Sequence, residues 1–383
     1  MDPLRVVVCP DSFKGSLSAS EVADAVADGV LDAAPDAVVT RLPMADGGEG
    51  TLDALLAVWG AEARVTSTVD AIGRPASARW AVSPDGRTAV VELAEASGLP
   101  GVSDAPLQPL HAGTRGTGEV ARAALDAGVT EVLVCLGGSA STDGGSGILT
   151  GLGARLLDAD GHPVPDGGEG LASVASLDLS GLHPRAREVR WRLAVDVSNP
   201  LVGEHGAAHV FGPQKGARDG VVEYLDAALR RWSDVLVRET GVAVAELPGT
   251  GAAGGVPAGL IAVLGAETTP GAELVAEAVG LPAALVDADL VITGEGSFDS
   301  QSVNGKVADG VARLAAASPA SPPVVVVAGQ VLLPEALARA AGIAAAFSIA
   351  PGPVELDDLI HRTAGRLRDV AAAVTSLVGA ARR

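Results

Sequence analysis

The chain has 383 residues, 48% of them hydrophobic, with 49 glycines, nine Phe, Trp and Tyr together, and a formal net charge of −20. That length suggests two or three domains whose cores need no disulfide or metal staple. Charged residues at only 19% argue against disorder, and the acidic excess argues against a nucleic-acid groove or an anionic membrane surface as partner.

Residues 5–9 form a continuous β-branched run, the pattern of a strand covered on both faces. Ser18 and Ser20 are N-cap candidates for a helix in which Val22, Ala25, Val26, Val30 and Leu31 recur at helical spacing. A strand at 37–42 and the loop Asp46-Gly47-Gly48-Glu49-Gly50-Thr51 then lead into a helix at 52–59. Short alternating runs at 65–69, 76–82 and 88–93, separated by Gly73-Arg74-Pro75 and Pro84-Asp85-Gly86, predict antiparallel hairpins. Helical patterns follow at 118–127 and 147–157, with strands at 131–136 and 190–195. From about Gly271 helix and strand alternate: 273–279, 290–293, 307–316, 324–328, 335–341, 344–349 and 356–374.

Alternation at both ends around a different middle predicts an α/β protein. A Rossmann-like, doubly wound parallel sheet would be built from about 1–60 plus 265–383, and a second, mixed α/β domain from 61–264 would be inserted in it. Cys9 and Cys135 each lie in an apolar run, as buried thiols of a reducing compartment do. With no signal-peptide pattern at the start, and both long uncharged stretches broken by Gly and Pro, the expectation is a soluble, cytoplasmic protein. A homodimer stays open.

Only Lys14, Lys215 and Lys306 are lysine among 27 basic residues, and each adjoins a glycine. A chain that otherwise uses Arg keeps the compact ammonium where a planar fork does not fit. Lysine among free backbone donors is a phosphate-binding arrangement. The loops concerned also carry acids and hydroxyls: Asp11-Ser12-Phe13-Lys14-Gly15-Ser16, Gly294-Glu295-Gly296-Ser297-Phe298-Asp299-Ser300-Gln301 ahead of Gly305-Lys306, and Asp196-Val197-Ser198-Asn199 followed by Gln214-Lys215-Gly216. Phosphoryl transfer uses such a set, cations for the moving phosphoryl and carboxylates for Mg²⁺ and for the attacking hydroxyl.

Other motifs are weaker. The P-loop pattern is absent, because Gly305-Lys306 is followed by Val307. Gly249-Thr250-Gly251-Ala252-Ala253-Gly254 matches a dinucleotide fingerprint but lies far from the first strand–helix unit. His205 and His209 have i, i+4 spacing without a further ligand nearby. Ser139-Ala140-Ser141-Thr142-Asp143-Gly144-Gly145 reads equally as a helix cap or a phosphate cradle.

Six segments in order resemble the type 1 glycerate kinases of bacteria. They are Pro10-Asp11-Ser12-Phe13-Lys14-Gly15-Ser16-Leu17, Ala45-Asp46-Gly47-Gly48-Glu49-Gly50-Thr51, Gly137-Gly138-Ser139-Ala140, Asp196-Val197-Ser198-Asn199-Pro200-Leu201, Phe211-Gly212-Pro213-Gln214-Lys215-Gly216-Ala217, and Gly294-Glu295-Gly296 with Asp299, Gln301, Gly305 and Lys306. Two departures are Ala140-Ser141-Thr142-Asp143, where the family often has Ala-Thr-Asn-Asp, and Ser302 in place of a Thr. The resemblance implies ATP-dependent phosphorylation of D-glycerate, to 2-phosphoglycerate in preference to 3-phosphoglycerate, in a cleft between the two domains.

On that reading the catalytic set is Lys14, Asp196, Asp299 and Lys306, with Mg²⁺ on Asp299 and Asp196. Asp11, Ser12, Asp46, Gly47, Gly48, Glu49, Gly144, Gly145, Asn199, Lys215, Glu295 and Gln301 bind substrate and phosphate. The alternatives are an NAD-dependent hydroxy-acid dehydrogenase, resting on the Gly249 loop, and a non-catalytic sensor of nucleotide or organic acid.

Overall fold

Val6, Val7 and Val8 are nearly sealed from solvent, as a strand between two helical layers must be. The structure, a computed structural model, describes residues 2–382. In chain order its strands are β1 (Arg5–Val8), β2 (Val38–Arg41), β3 (Arg64–Val69), β4 (Pro75–Val82), β5 (Thr88–Glu92), β6 (Glu131–Cys135), β7 (Arg155–Leu157), β8 (Ser176–Asp178), β9 (Arg190–Ala194), β10 (Glu267–Thr269), β11 (Leu290–Phe298), β12 (Val324–Val331) and β13 (Ile343–Ser348). The chain divides into two units. The first comprises Met1–Asp46, Asp53–Gly60 and Pro270–Arg383; the second comprises Gly47–Leu52 and Ala61–Thr269.

The first unit is built on one parallel sheet of order β2-β1-β11-β12-β13. Val6, Val8, Leu290, Ile292, Val325 and Val327 share a core with Val22, Val26 and Val30 of helix Ala19–Ala33 and with Leu367, Ala371 and Val374 of helix Thr363–Ala381. The alternate residues Val7, Val291 and Val326 point to the opposite face and are just as buried, so helices cover both sides. Ser18 and Glu21 close a capping box at the start of helix Ala19–Ala33. Gly29 of that helix has no room for a side chain, since a Cβ would stand 2.2 Å from the Arg368 carbonyl oxygen. This is the doubly wound fold that the alternating pattern predicts. The strand order reverses between β1 and β11, and open α/β sheets bind ligands in the crevice at such a reversal.

The second unit carries a six-stranded sheet of order β10-β9-β6-β5-β4-β3 and a small ribbon of β7 and β8. β3, β4 and β5 are the expected antiparallel hairpins. β5, β6, β9 and β10 are mutually parallel, which short runs without the intervening helices in view do not reveal. Trp191, Trp232, Leu229, Ile148 and Val256 belong to its main core.

Three elements differ from expectation. β11 continues through Phe298 instead of ending at 293, because Glu295 and Ser297 pair with Ala328 and Gln330 of β12. The 147–157 pattern is a short helix, Ser146–Gly151, followed by β7, with Gly153 at φ 104° making the break. The 356–374 pattern is two helices, Leu356–His361 and Thr363–Ala381. Among the described residues no helix is long and apolar enough to cross a membrane.

Candidate functional site

In the first unit, the chain leaving β1 stays on the β11 side of the reversal. Cys9 N–H donates to Ile292 O at 2.9 Å and Asp11 N–H donates to Gly294 O at 2.8 Å, so Asp11 lies beside Glu295. Phe13 is buried and its N–H donates to Leu17 O, and the Ser16 hydroxyl reaches Ile360 O and Thr363 Oγ1. Those anchors hold the loop at its base and leave Lys14 exposed at its tip. Ser12 donates its N–H to Asp11 Oδ1 at 2.6 Å.

Glu295 stands on β11, where strand pairing fixes its backbone. Its Oε1 is buried and has no hydrogen-bond partner. Burial is the main reason its carboxyl is raised to about 7; the Ser302 hydroxyl and Lys306 pull it back, while Asp11 and Asp299 add repulsion. Burial also raises Asp11 to about 6, with Asp46 as the next cause. Asp299 Oδ1 accepts the Gln301 N–H at 2.8 Å, and Asp299 N–H donates to Ser302 Oγ at 3.0 Å, so Asp299 organises the turn after the strand. Gln301 itself is exposed. Lys306 is the N-cap residue of helix Val307–Ala317, with no side-chain cap. The switch point thus gathers four carboxylates, Asp11, Asp46, Glu295 and Asp299, with Lys14 and Lys306. Raised carboxyls such as those of Asp11 and Glu295 mark functional sites.

The Glu295 shift sets a pH dependence. Between the ordinary 4.5 and its own value of about 7, the folded state holds a proton that the unfolded chain releases. Stability therefore falls as pH rises through that window, and the full penalty remains above it. Glu295→Gln carries no charge, so its Tm should exceed that of the parent above pH 7 and the gap should close toward pH 4.5. Unfolding scans from pH 4.5 to 8.5 check this, and a gap that does not vary with pH contradicts it.

The second unit places its own candidates at the carboxyl ends of its parallel strands. Glu92 ends β5 and is 4% exposed. Its Oε1 accepts the Gly50 N–H at 3.1 Å and its Oε2 the Leu52 N–H at 2.9 Å. Donors at the start of helix Thr51–Trp59, which sequence reasoning would offer to phosphate, go to this internal carboxylate. Sequence reasoning missed Glu92, although an acid closing a β-branched strand was the available sign. In the same segment Gly47 is buried, Gly48 half-buried and Glu49 exposed. A Cβ on Gly137 would stand 2.5 Å from Gly48 Cα, so the loop after β6 packs directly on this segment.

That loop runs from Gly137 into helix Ser146–Gly151. Asp143 is fully buried and its carboxylate accepts from Thr114 N (2.8 Å), Thr114 Oγ1 (2.7 Å), Gly145 N (3.2 Å) and Gly147 N (3.2 Å). Burial pushes its carboxyl up and those four donors pull it down. Gly144 N–H donates to Gly254 O at 3.0 Å. The Gly144 and Gly145 donors expected for a phosphate are therefore committed inside the unit.

Lys215, expected on phosphate or a substrate carboxylate, is 2% exposed; its Nζ donates to Ser141 O and, at 3.4 Å, to Ser139 Oγ. Burial lowers it to about 7, and the Asp143 charge opposes that shift. Asp196 follows β9 and is exposed, and Asn199 Nδ2 donates to His205 O at 2.8 Å. The second unit holds Lys215 and Asp196, and the first holds Lys14, Lys306 and Asp299.

The weaker motifs resolve as packing. A Cβ on Gly251 would stand 2.2 Å from Pro200 O, and one on Gly254 2.0 Å from Ser141 O, so the Gly249 loop is glycine-rich to fit against its own unit. It also follows a helix, Val221–Thr240, not a strand. His209 Nδ1 is 3.7 Å from Asp226, and His205 lies outside helix Ala207–Phe211. Cys9 and Cys135 are both buried, and neither takes part in a disulfide.

Comparison with known proteins decides the lineage. The model of the glycerate kinase family matches residues 6–379. The chain belongs to the glycerate kinase family. It is 43% identical over 355 residues to the "Glycerate 2-kinase" of Escherichia coli (strain K12), covering 93% of each chain. It is 42% identical over 375 residues to the "Glycerate kinase" of Bacillus subtilis (strain 168), covering 97% of this chain and 98% of the other. A solved structure, "Crystal structure of putative glycerate kinase 2 from Salmonella typhimurium LT2", matches with a TM-score of 0.90 and 42% identity over 100% of both chains. The resemblance carried by the six motifs is thus a family membership, and the mixed α/β fold is common to this chain and that structure.

Proposed function

We propose that this protein transfers the γ-phosphoryl group of ATP to the 2-hydroxyl of D-glycerate. Family membership supports the reaction class, and the name of the Escherichia coli relative supports the 2-position. The observation that carries the reading at the level of residues is the switch-point cluster. Two lysines and four acids meet where an open α/β sheet offers a ligand crevice. In a chain of net charge −20, a nucleotide binds only where local donors and a metal ion outweigh the general field.

Lys14 and Lys306 take the phosphate charge, Lys306 together with the N–H groups opening its helix. Mg²⁺ keeps several waters and asks for one or two protein carboxylates beside substrate phosphates. Asp11 and Asp46 fit that demand, because a cation between them removes the repulsion that helps to raise Asp11 to about 6. When bound, the ion neutralises charge on the phosphates. In the first unit Ser12 and Gln301 remain candidate contacts of the hydroxy acid; Glu49, Asp196 and Asn199 belong to the second unit. Lys215, Gly144 and Gly145 shape the loop after β6 from within.

A coupled ADP-release assay over a panel of small hydroxy acids tests the reading, with phosphorus NMR of the product fixing the oxygen that receives phosphate. Turnover is expected with D-glycerate, together with a rise in Tm on adding ATP–Mg²⁺ and none on adding NAD. A rise in Tm without turnover on any acid would make the protein a sensor.

A further inference from the structure

We infer that Glu92 is a positioning residue for phosphoryl transfer, its carboxylate gripping the backbone that follows Asp46 and so fixing where Asp46 stands. The role rests on the kinase reading above, in which Asp11 and Asp46 serve the ion. Glu92 acts through backbone amides and not on the substrate.

Asp46 ends the first stretch of the first unit, and the chain then runs through the second unit as Gly47–Leu52 before Asp53 resumes the first. What holds the backbone on either side therefore sets the place of Asp46. Upstream, Met44 is 1% exposed and its N–H donates to Pro10 O at 2.8 Å, so Asp46 leaves the sheet at the same edge as Asp11. Downstream, Gly47 turns the chain at φ 80°, and Thr51 Oγ1 donates to Gly48 O at 2.7 Å.

Glu92 completes this second grip, with Oε1 on the Gly50 N–H and Oε2 on the Leu52 N–H. A carboxylate that uses both oxygens on backbone donors bonds strongly and admits one geometry. Glu92 is itself a fixed post, since it is buried and pairs with Cys135 where β5 meets β6. Loosening the downstream grip leaves Asp46 held from one side alone. A displacement of about 1 Å at a reacting centre can cost about a hundredfold in rate.

The test compares wild type, Glu92→Gln, Thr51→Val and Trp191→Phe in the ADP-release assay with D-glycerate, beside Tm and amide hydrogen exchange over residues 44–52. The Gln side chain keeps one acceptor and sets an NH₂ group against the other backbone donor. Trp191→Phe controls for stability alone. It deletes the Nε1 donor to Ala186 O in the same unit, at the second residue of β9 and level with Ala89, away from the carboxyl ends of the strands.

Glu92→Gln should lose about tenfold or more in kcat and exchange faster over residues 47–52. Trp191→Phe, although lower in Tm, should keep kcat within about twofold. Thr51→Val, which takes the hydroxyl from Gly48 O, should lower kcat, and Thr51→Ser should restore it. A Glu92→Gln kcat within threefold of wild type overturns the role, as does unchanged exchange over residues 47–52. A Trp191→Phe enzyme that loses as much also overturns it, because destabilisation then explains both. Should Glu92→Gln fail to fold, the Thr51 pair carries the test, and Thr51→Val at wild-type rate overturns the proposal. A wild type that releases no ADP with any hydroxy acid removes the kinase reading and this role with it. An active wild type beside an indifferent Gln variant removes only Glu92.

Discussion

Replacing Lys306 with alanine is expected to lower kcat for ADP release by about a hundred- to a thousandfold, a barrier increase of roughly 3–4 kcal/mol, while Tm stays level or rises slightly. Lys306 is the N-cap residue of helix Val307–Ala317, where its ammonium adds to the positive end of the helix dipole. Asp, Asn, Ser or Thr would serve the fold better there. A cation kept at such a position needs an anionic partner that the helix itself does not provide. Glu295 and Asp309 lie nearby, but the Asp309 carboxylate already accepts the Gly305 N–H at 3.0 Å and faces Arg313. A transferring phosphoryl group, with charge spread over three oxygens, uses both the ammonium and the open N–H groups. Lys306→Arg should recover only part of the rate, because a planar fork cannot replace a compact charge. Saturating kinetics on both variants decide the matter, and a kcat close to wild type in the alanine variant would remove Lys306 from the mechanism.

The second large effect concerns stability. Asp143→Ala should lower Tm by on the order of 10 °C, corresponding to about 3–5 kcal/mol for leaving several buried donors without their acceptor and a buried cation without its compensating charge. The substitution deprives Thr114 N and Oγ1, Gly145 N and Gly147 N of their acceptor. It also removes the one charge that keeps the buried Lys215 ammonium from a still deeper shift. Adding Lys215→Met should restore part of the loss, since the uncompensated cation is then gone. Thermal unfolding followed by circular dichroism measures both variants. A single variant within about 2 °C of wild type would show that the four donors and Lys215 find water or other partners.

Much of the first unit was legible because its signals are local. β1 declares itself by three consecutive valines, helix Ala19–Ala33 by its capping box and apolar spacing, and the Asp11 and Glu295 loops by acids, hydroxyls and glycine beside scarce lysines. The end of β11 was not legible. Gly294-Glu295-Gly296 has the composition of a loop, and only its pairing with Val327 and Ala328, more than thirty residues away, makes it strand.

Lys215 misleads for a similar reason. Its glycine neighbour and its rarity suggest phosphate, whereas its burial depends on how residues 139–143 fold over it, which no spacing encodes. The Gly249 loop reads as a fingerprint for the same reason in reverse. Its glycines answer to the Pro200 and Ser141 carbonyls, contacts that do not exist in the linear chain. Glu92, marked in the sequence only by closing a β-branched run, occupies the backbone donors of Gly50 and Leu52.

The central pairing of the first sheet joins strands made far apart in synthesis; Thr293 Oγ1 donates to Cys9 O across a separation of 284 residues. Closing so long a loop is costly in chain entropy only logarithmically, but it cannot begin until the ribosome has delivered β11. While they wait, β1 and β2 lack their neighbours and expose edges that invite wrong partners. The second unit, whose longest stretch is an unbroken run, can mature first. A nascent chain halted before residue 290 would thus carry a finished insert flanked by an orphaned half-sheet, a natural substrate for chaperones.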